Sequence, residues 1–271
     1  MKKKKSDAWV NNLTSEQRLG LAREKVKALI GQLDELIAVK WTNKHIIYSK
    51  TLSNLIPKSY AANAFNQLQN SLHKYAIIRT MAIWDSPAKD RNSVPTVKSL
   101  LDHPDVQKLL LTEIFKYHST LAQPNTTTRF PIPTELNALL SERWKIERVE
   151  IAKQAVAVAK RELRSALRAT QCVERSGTYE SVTRFRHQRI AHNLSSISKE
   201  ASELGLPKLR YGDENKLLSI GARIIVCLHR SVNESDFAFQ MLDKNWKNCT
   251  AELWDNCTFS IPSTGTKFMK R

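Results

Sequence analysis

The chain has 271 residues, 41% of them hydrophobic, with 43 Lys and Arg against 26 Asp and Glu, a formal charge of +17 and a pI near 9.8. That length supports one sizeable core or two modest domains, and the ordinary apolar content excludes a disordered chain. So basic a protein draws polyanions, either nucleic acid or an acidic partner, and no stretch is apolar for long enough to span a bilayer.

Only 7 glycines and 9 prolines interrupt long runs of Leu, Ala, Glu, Lys, Arg and Gln, which is the composition of an all-α protein. Residues 1–12 read as a flexible basic lead. Lys2, Lys3, Lys4 and Lys5 are followed by no apolar segment, so they form no secretory signal. Thr14-Ser15-Glu16-Gln17 is a capping start. From there Leu21, Val26, Leu29, Ile30, Leu33, Leu36 and Ile37 recur at helical spacing to about Lys40, and His45 to Leu55 extends the pattern until Pro57 stops it. The next helix carries Phe65, Leu68, Leu72 and Ile78 and closes at Trp84-Asp85-Ser86-Pro87. A polar loop, a short helix from Pro95 to Leu101 and another helix from about His103 to Leu121 complete an N-terminal helical part, 13–121.

Residues 122–133, with Pro124, Pro131, Pro133 and three threonines, read as a linker. Thr134 to about Arg175 is the longest helical run, with a narrow apolar face of Ala152, Ala155, Val156, Ala159, Leu163, Ala166 and Leu167 flanked by Lys and Arg. Ser176-Gly177-Thr178 turns the chain back into a helix over about 179–204, and Asp213 to about Asp243 reads as a final long helix burying Leu217, Leu218, Ile220, Ile224, Ile225, Leu228 and Val232. Residues 134–245 are then one half of a bundle, and 246–271 a tail holding Trp254 and Phe259 that can dock as a flap.

Cys172, Cys227, Cys249 and Cys257 form no CxxC pair, so neither a zinc site nor any other cofactor is expected, and the thiols are those of a cytoplasmic protein. Cys227 and His229 sit in an apolar run and read as core.

Chemistry concentrates in residues 184–193, where Arg184, Arg186, His187, Arg189, His192 and Asn193 crowd together at the end of a stretch, 141–190, holding 12 Lys and Arg against 6 Asp and Glu. Arginine offers a planar fork of donors to phosphate, and histidine exchanges a proton near neutrality. Together they can cut a phosphodiester without a metal. Spacing alone decides nothing: Arg223 and His229 are also six apart, but every residue between them is apolar. On a regular helix Arg186 and His192 lie about 120° apart, so a long side chain, a local distortion or a second subunit must bring them together. The residues alone also admit a basic helix with no catalytic role.

Arg186-His187-Gln188-Arg189-Ile190-Ala191-His192 resembles the signature of the HEPN (higher eukaryotes and prokaryotes nucleotide-binding) superfamily, an arginine, a polar residue, spacers and a histidine, with His187 in the polar place. Ala82-Ile83-Trp84-Asp85, the polar loop and the short helix after it are similar to the front half of the abortive-infection AbiU-like branch, in which a tryptophan-aspartate pair ends a helix. The resemblance implies an all-α, HEPN-type antiparallel helical bundle with an N-terminal helical pair. It also implies a metal-independent endoribonuclease, in a toxin-antitoxin or phage-defence role, that leaves 2′,3′-cyclic phosphate ends and works as a homodimer. His192 is then the acid/base and Arg186 the stabiliser of the phosphorane, while Arg184, His187, Arg189 and Asn193 hold RNA. The alternatives are a non-catalytic RNA-binding HEPN protein and a helical module docking on an acidic protein such as an antitoxin. Trp84 and Asp85 read as structural.

Overall fold

Capping residues set where the helices begin. After the single turn α1 (Ala8–Asn11), the Gln17 N–H donates to Thr14 Oγ1 (3.3 Å) and the Thr14 N–H to Gln17 Oε1 (3.0 Å), a reciprocal capping box that opens α2 (Ser15–Tyr48). Ser49 Oγ accepts the Leu52 N–H and starts α3 (Lys50–Leu55), so the apolar pattern expected to run on to Pro57 is interrupted at a cap. Ser59 caps α4 (Tyr60–Ala82) in the same way. Ser93, with Pro95 in the first turn, opens α5 (Val94–Leu101), and Pro104 opens α6 (Pro104–Ser119). The longest helix, α7 (Thr134–Glu174), contains neither proline nor glycine. After it come α8 (Gly177–Phe185), α9 (Asp213–Asn233) and α10 (Phe239–Asp255).

The computed structural model describes residues 8–56, 59–121, 134–187 and 212–261. The regular structure among these residues is all helix with no strand, an all-α fold, and none of their helices is long and apolar enough to cross a membrane. The linker expected at 122–133 and the greater part of the helix expected over 179–204 lie outside them.

The chain groups into two units. One takes 1–27, 86–170 and 224–237. Its core is built from Leu19, Ala22, Val97, Leu100, Leu110, Leu163, Ile225 and Leu228. The small apolar face expected on α7 is buried at Ala152, Ala159, Leu163 and Ala166 and half-buried at Ala155, Val156 and Leu167. Arg23 is tied in by Glu113 (2.8 Å) and by the Val232 carbonyl (3.1 Å), and the buried Lys25 donates to the Arg91 carbonyl (2.9 Å). These partners meet the cost of placing cations near a core.

The other unit takes 28–85, 171–223 and 238–271. Leu29, Leu33, Leu36, Ile37, Ile77, Met81, Ile83, Trp84, Val182, Leu217 and Ala222 form its core. Indole N–H groups fasten α10 to α2: Trp41 Nε1 donates to Asp243 (2.9 Å) and Trp246 Nε1 to Asp34 (2.8 Å).

Two expectations need correction. The helix expected to run from Asp213 to about Asp243 stops at Asn233, because Glu234 takes a left-handed conformation (φ 51°) and α10 begins only at Phe239. Asp236 accepts from Arg230 Nε (2.7 Å) and from the Phe237 N–H (3.2 Å), and Glu234 meets His118 Nε2 (3.1 Å), so side chains hold the break. Trp246 and Trp254 consequently lie within a helix. Along α9 the expected apolar face is buried except at Ile220, which is exposed.

Candidate active site at the end of the Arg186 helix

A turn of two residues leads into the candidate site. The Ser176 hydroxyl donates to the Val173 carbonyl at the end of α7 (2.8 Å) and accepts the Tyr179 N–H at the start of α8 (3.2 Å), so one side chain closes one helix and opens the next. Val182 and Ser181 are the buried face of α8. Thr183, Arg184 and the C-cap Arg186 are left half-buried on the other side.

Those arginines go to different partners. Arg184 Nη2 pairs with Glu180 Oε1 one turn back (2.9 Å), while its Nη1 is buried without a hydrogen-bond partner among the described residues. Arg184 and the exposed His187 line a surface cavity of about 450 Å³ together with Arg175, Tyr179 and Thr183. Arg186 instead reaches the end of α4, where Nη1 donates to Asp85 Oδ1 at 2.6 Å; each of the two side chains is a little over a quarter exposed. This pair joins residues 101 positions apart. The backbone at Arg186 and His187 widens into a π-turn, a distortion often found at functional sites.

The aspartate is held in place by its neighbour. Trp84 is fully buried, and the last turn of α4 tightens as the Trp84 N–H donates to Met81 (3.0 Å) and the Asp85 N–H to Ala82 (3.3 Å). Gly221 on α9 leaves room for the indole: a Cβ there would lie 2.8 Å from Ile83 Cδ1 and 3.4 Å from Trp84 Cζ2. Tyr179 packs edge-on to Trp84 (ring centroids 6.5 Å apart) and donates its hydroxyl to the Trp84 carbonyl (3.2 Å). Burial pushes the Tyr179 phenol up, the Thr183 hydroxyl opposes, Glu174 and Asp85 add to the rise and Arg186 opposes it. Tyr179 is therefore a neutral donor at working pH.

The HEPN family model described as AbiU2 matches residues 19–248, which include Trp84-Asp85 and the whole Arg186 to His192 segment. The chain belongs to the AbiU2 HEPN family. Its all-α fold is accordingly of the HEPN type. No curated protein and no solved structure matches this AbiU2 HEPN chain.

Of the residues singled out in the sequence, Arg184, Arg186 and His187 stand at the end of α8, and Arg189, His192 and Asn193 lie outside the described residues. Asp85, read as structural, turns out to be the partner of Arg186, and Tyr179 the group that fastens the helix carrying Arg186 to the turn carrying Asp85. The tryptophan-aspartate pair was the one sequence signal for the first, and nothing pointed to the second. The spacing control behaves as its apolar context requires: Arg223 is exposed, whereas His229 is half-buried, bonded to Asn233 (3.1 Å) and edge-on to Phe237. Cys227 is half-buried and its thiol is pushed up by burial, with Glu162 adding to the rise. Among the described residues no group of three His, Cys, Asp or Glu side chains could hold a metal ion.

Proposed function

We propose that this AbiU2 HEPN protein is a metal-independent endoribonuclease with a toxin or phage-defence role, active as a homodimer that brings two Arg186-to-His192 segments together. The observation that carries this reading is the Arg186–Asp85 pair. A guanidinium presents five N–H donors, and the pair with Asp85 engages one nitrogen, Nη1, so the carboxylate fixes the fork while other donors remain to meet phosphate oxygens. Asp85 is then a positioning residue.

The reaction follows from the side chains. His192 takes the proton of a ribose 2′-hydroxyl, the 2′-oxygen attacks the adjacent phosphorus, and Arg186 stabilises the charge that builds on the phosphorane oxygens. The bond from phosphorus to the 5′-oxygen breaks, that oxygen receives a proton, and the products are a 2′,3′-cyclic phosphate and a 5′-hydroxyl. Arg184, which lines the surface cavity beside His187, holds the strand beside the scissile phosphate with His187, Arg189 and Asn193.

The test is incubation of total RNA with the purified protein in EDTA, with Arg186→Ala, His192→Ala, Asp85→Ala and Asp85→Asn run beside it. Cleavage by the wild type falls about 10²–10³-fold on loss of the arginine and about 10²–10⁴-fold on loss of the histidine. Asp85→Asn, which keeps an oxygen for Nη1, retains more activity than Asp85→Ala. RNA that is retained by every variant but cut by none would replace this reading with an RNA-binding protein.

A further inference from the structure

Most of α4 stands outside the core. Its buried residues, Ala76, Ile77, Thr80 and Met81, all lie near its C-terminal end, and no residue from Tyr60 to Tyr75 is buried. On the inner side polar bonds fasten this stretch to α2, Gln69 Nε2 donating to the Ile46 carbonyl (2.7 Å) and Asn43 Nδ2 to the Leu72 carbonyl (3.2 Å). On the outer side Tyr60, Ala64, Leu68, Ser71, Tyr75 and Ile78 fall within about 80° of one another and run about 27 Å along the axis. Tyr60 is 70% exposed, Leu68 43%, Tyr75 46% and Ile78 39%. A helix draws most of its stability from a packed apolar face, and this one faces solvent.

The same stretch is the most neutral in the chain. Ser59 to His73 contains no Asp, Glu, Lys or Arg over 15 residues, the longest such run in a protein of formal charge +17. Charge enters α4 only at Lys74 and Arg79, and Arg79 is bonded to Glu35. A phosphate backbone or an acidic protein finds no row of cations here, and a bilayer surface finds no basic flank. The exposed apolar run on α7, Leu136, Leu139, Leu140 and Ile146, is by contrast interleaved with Glu142, Arg143, Lys145 and Glu147. Tyrosine and aliphatic side chains without charge are the composition of the centre of a protein–protein interface.

We infer that a second copy of this chain packs on the Tyr60–Ile78 face of α4. Two copies that each carry +17 repel, and they come together where neither presents a cation. A face that meets its own copy needs groups that complement themselves. Asn63, Asn66, Gln67 and Asn70, exposed beside the stripe, carry donor and acceptor on one amide and so pair across a two-fold axis, while Ala64 and Ser71 let the facing helix come close. A strip about 27 Å long and about 10 Å wide is smaller than the roughly 800 Å² per partner of a standard interface, so the dimer forms at micromolar concentrations and above. The surface serves the homodimer part of the proposed function, on which it rests, and does not depend on RNA cleavage.

Sedimentation of the full chain between about 1 and 100 μM, at about 0.1 and 0.5 M salt, tests this without RNA. The wild type forms dimers that tighten with salt, because screening weakens the repulsion between two +17 chains. Leu68→Arg and Ser71→Arg each weaken dimerisation by about tenfold or more. Both side chains are exposed, so neither substitution disturbs the core. Leu139→Arg, on the exposed side of α7, leaves dimerisation unchanged. A wild type that stays monomeric throughout, dimers that loosen with salt, or a Leu68→Arg or Ser71→Arg protein that dimerises as the wild type does overturns the inference. In the last case the homodimer stands and this face alone falls, and cleavage in EDTA decides the ribonuclease reading separately.

Discussion

The Arg186–Asp85 pair is open to a quantitative test through a double-mutant cycle of Asp85→Ala, Arg186→Ala and the double variant, read as urea midpoints. Two unit charges about 4 Å apart attract by about 4 kcal/mol at an effective dielectric near 20, before the desolvation of each is subtracted. Exposed ion pairs retain about 0–1 kcal/mol of such attraction, and hydrogen bonds to charged groups are worth about 1.5–3 kcal/mol. With the two side chains 27% and 28% exposed and Nη1 2.6 Å from Oδ1, this pair stands between those cases. A coupling of about 1–2 kcal/mol follows, roughly 5–30-fold in the folding equilibrium. Each single substitution leaves a half-buried charge without this partner, so each costs as much as the coupling or more. Single effects that add to the double within about 0.5 kcal/mol would refute the pairing and with it the positioning role of Asp85.

The glycines separate by surroundings: Gly20→Ala or Gly31→Ala on α2, where a Cβ meets nothing within 4 Å, stabilises by about 1 kcal/mol, whereas Gly221→Val drives atoms into Ile83 and Trp84 and destabilises by about 1–3 kcal/mol, both measured as shifts in thermal midpoint. Burial, and after it the Lys27 ammonium, holds the His229 pKa below the ordinary imidazole value, with Asp236 opposing. The folded protein therefore takes up this proton less readily than the unfolded chain, and stability contributed above about pH 6.5 is lost as pH falls through the depressed value. Urea midpoints of the wild type should drop more steeply between pH 7 and 5 than those of His229→Gln, and parallel curves would remove His229 as the cause. Arg184→Ala should lower RNA affinity and reduce the slope of log affinity against log salt by about 1, checked by filter binding across a salt series.

Most of the helices were legible because their signals are local. Thr14 and Gln17, Pro104, and the Ser176-Gly177 turn mark helix ends within three residues of themselves, and the small apolar face of α7 follows from its spacing. The break at Glu234 was not legible. A glutamate at positive φ carries no sequence mark, and what holds it there, His118 of α6, is remote in the chain. The site divides in the same way. The Arg184 to His187 cluster was visible as composition, but the partnership of Arg186 with Asp85 depends on two helix ends meeting, which no period along one helix can encode.

The measurement that bears most directly on the account is end-group analysis of a defined RNA oligonucleotide cut in EDTA under single-turnover conditions by wild type and His192→Ala. The account predicts 2′,3′-cyclic phosphate and 5′-hydroxyl ends from the wild type, and a rate at least about 10²-fold lower from the variant. Products with 3′-hydroxyl and 5′-phosphate ends, or a His192→Ala protein that cuts at the wild-type rate, would contradict it.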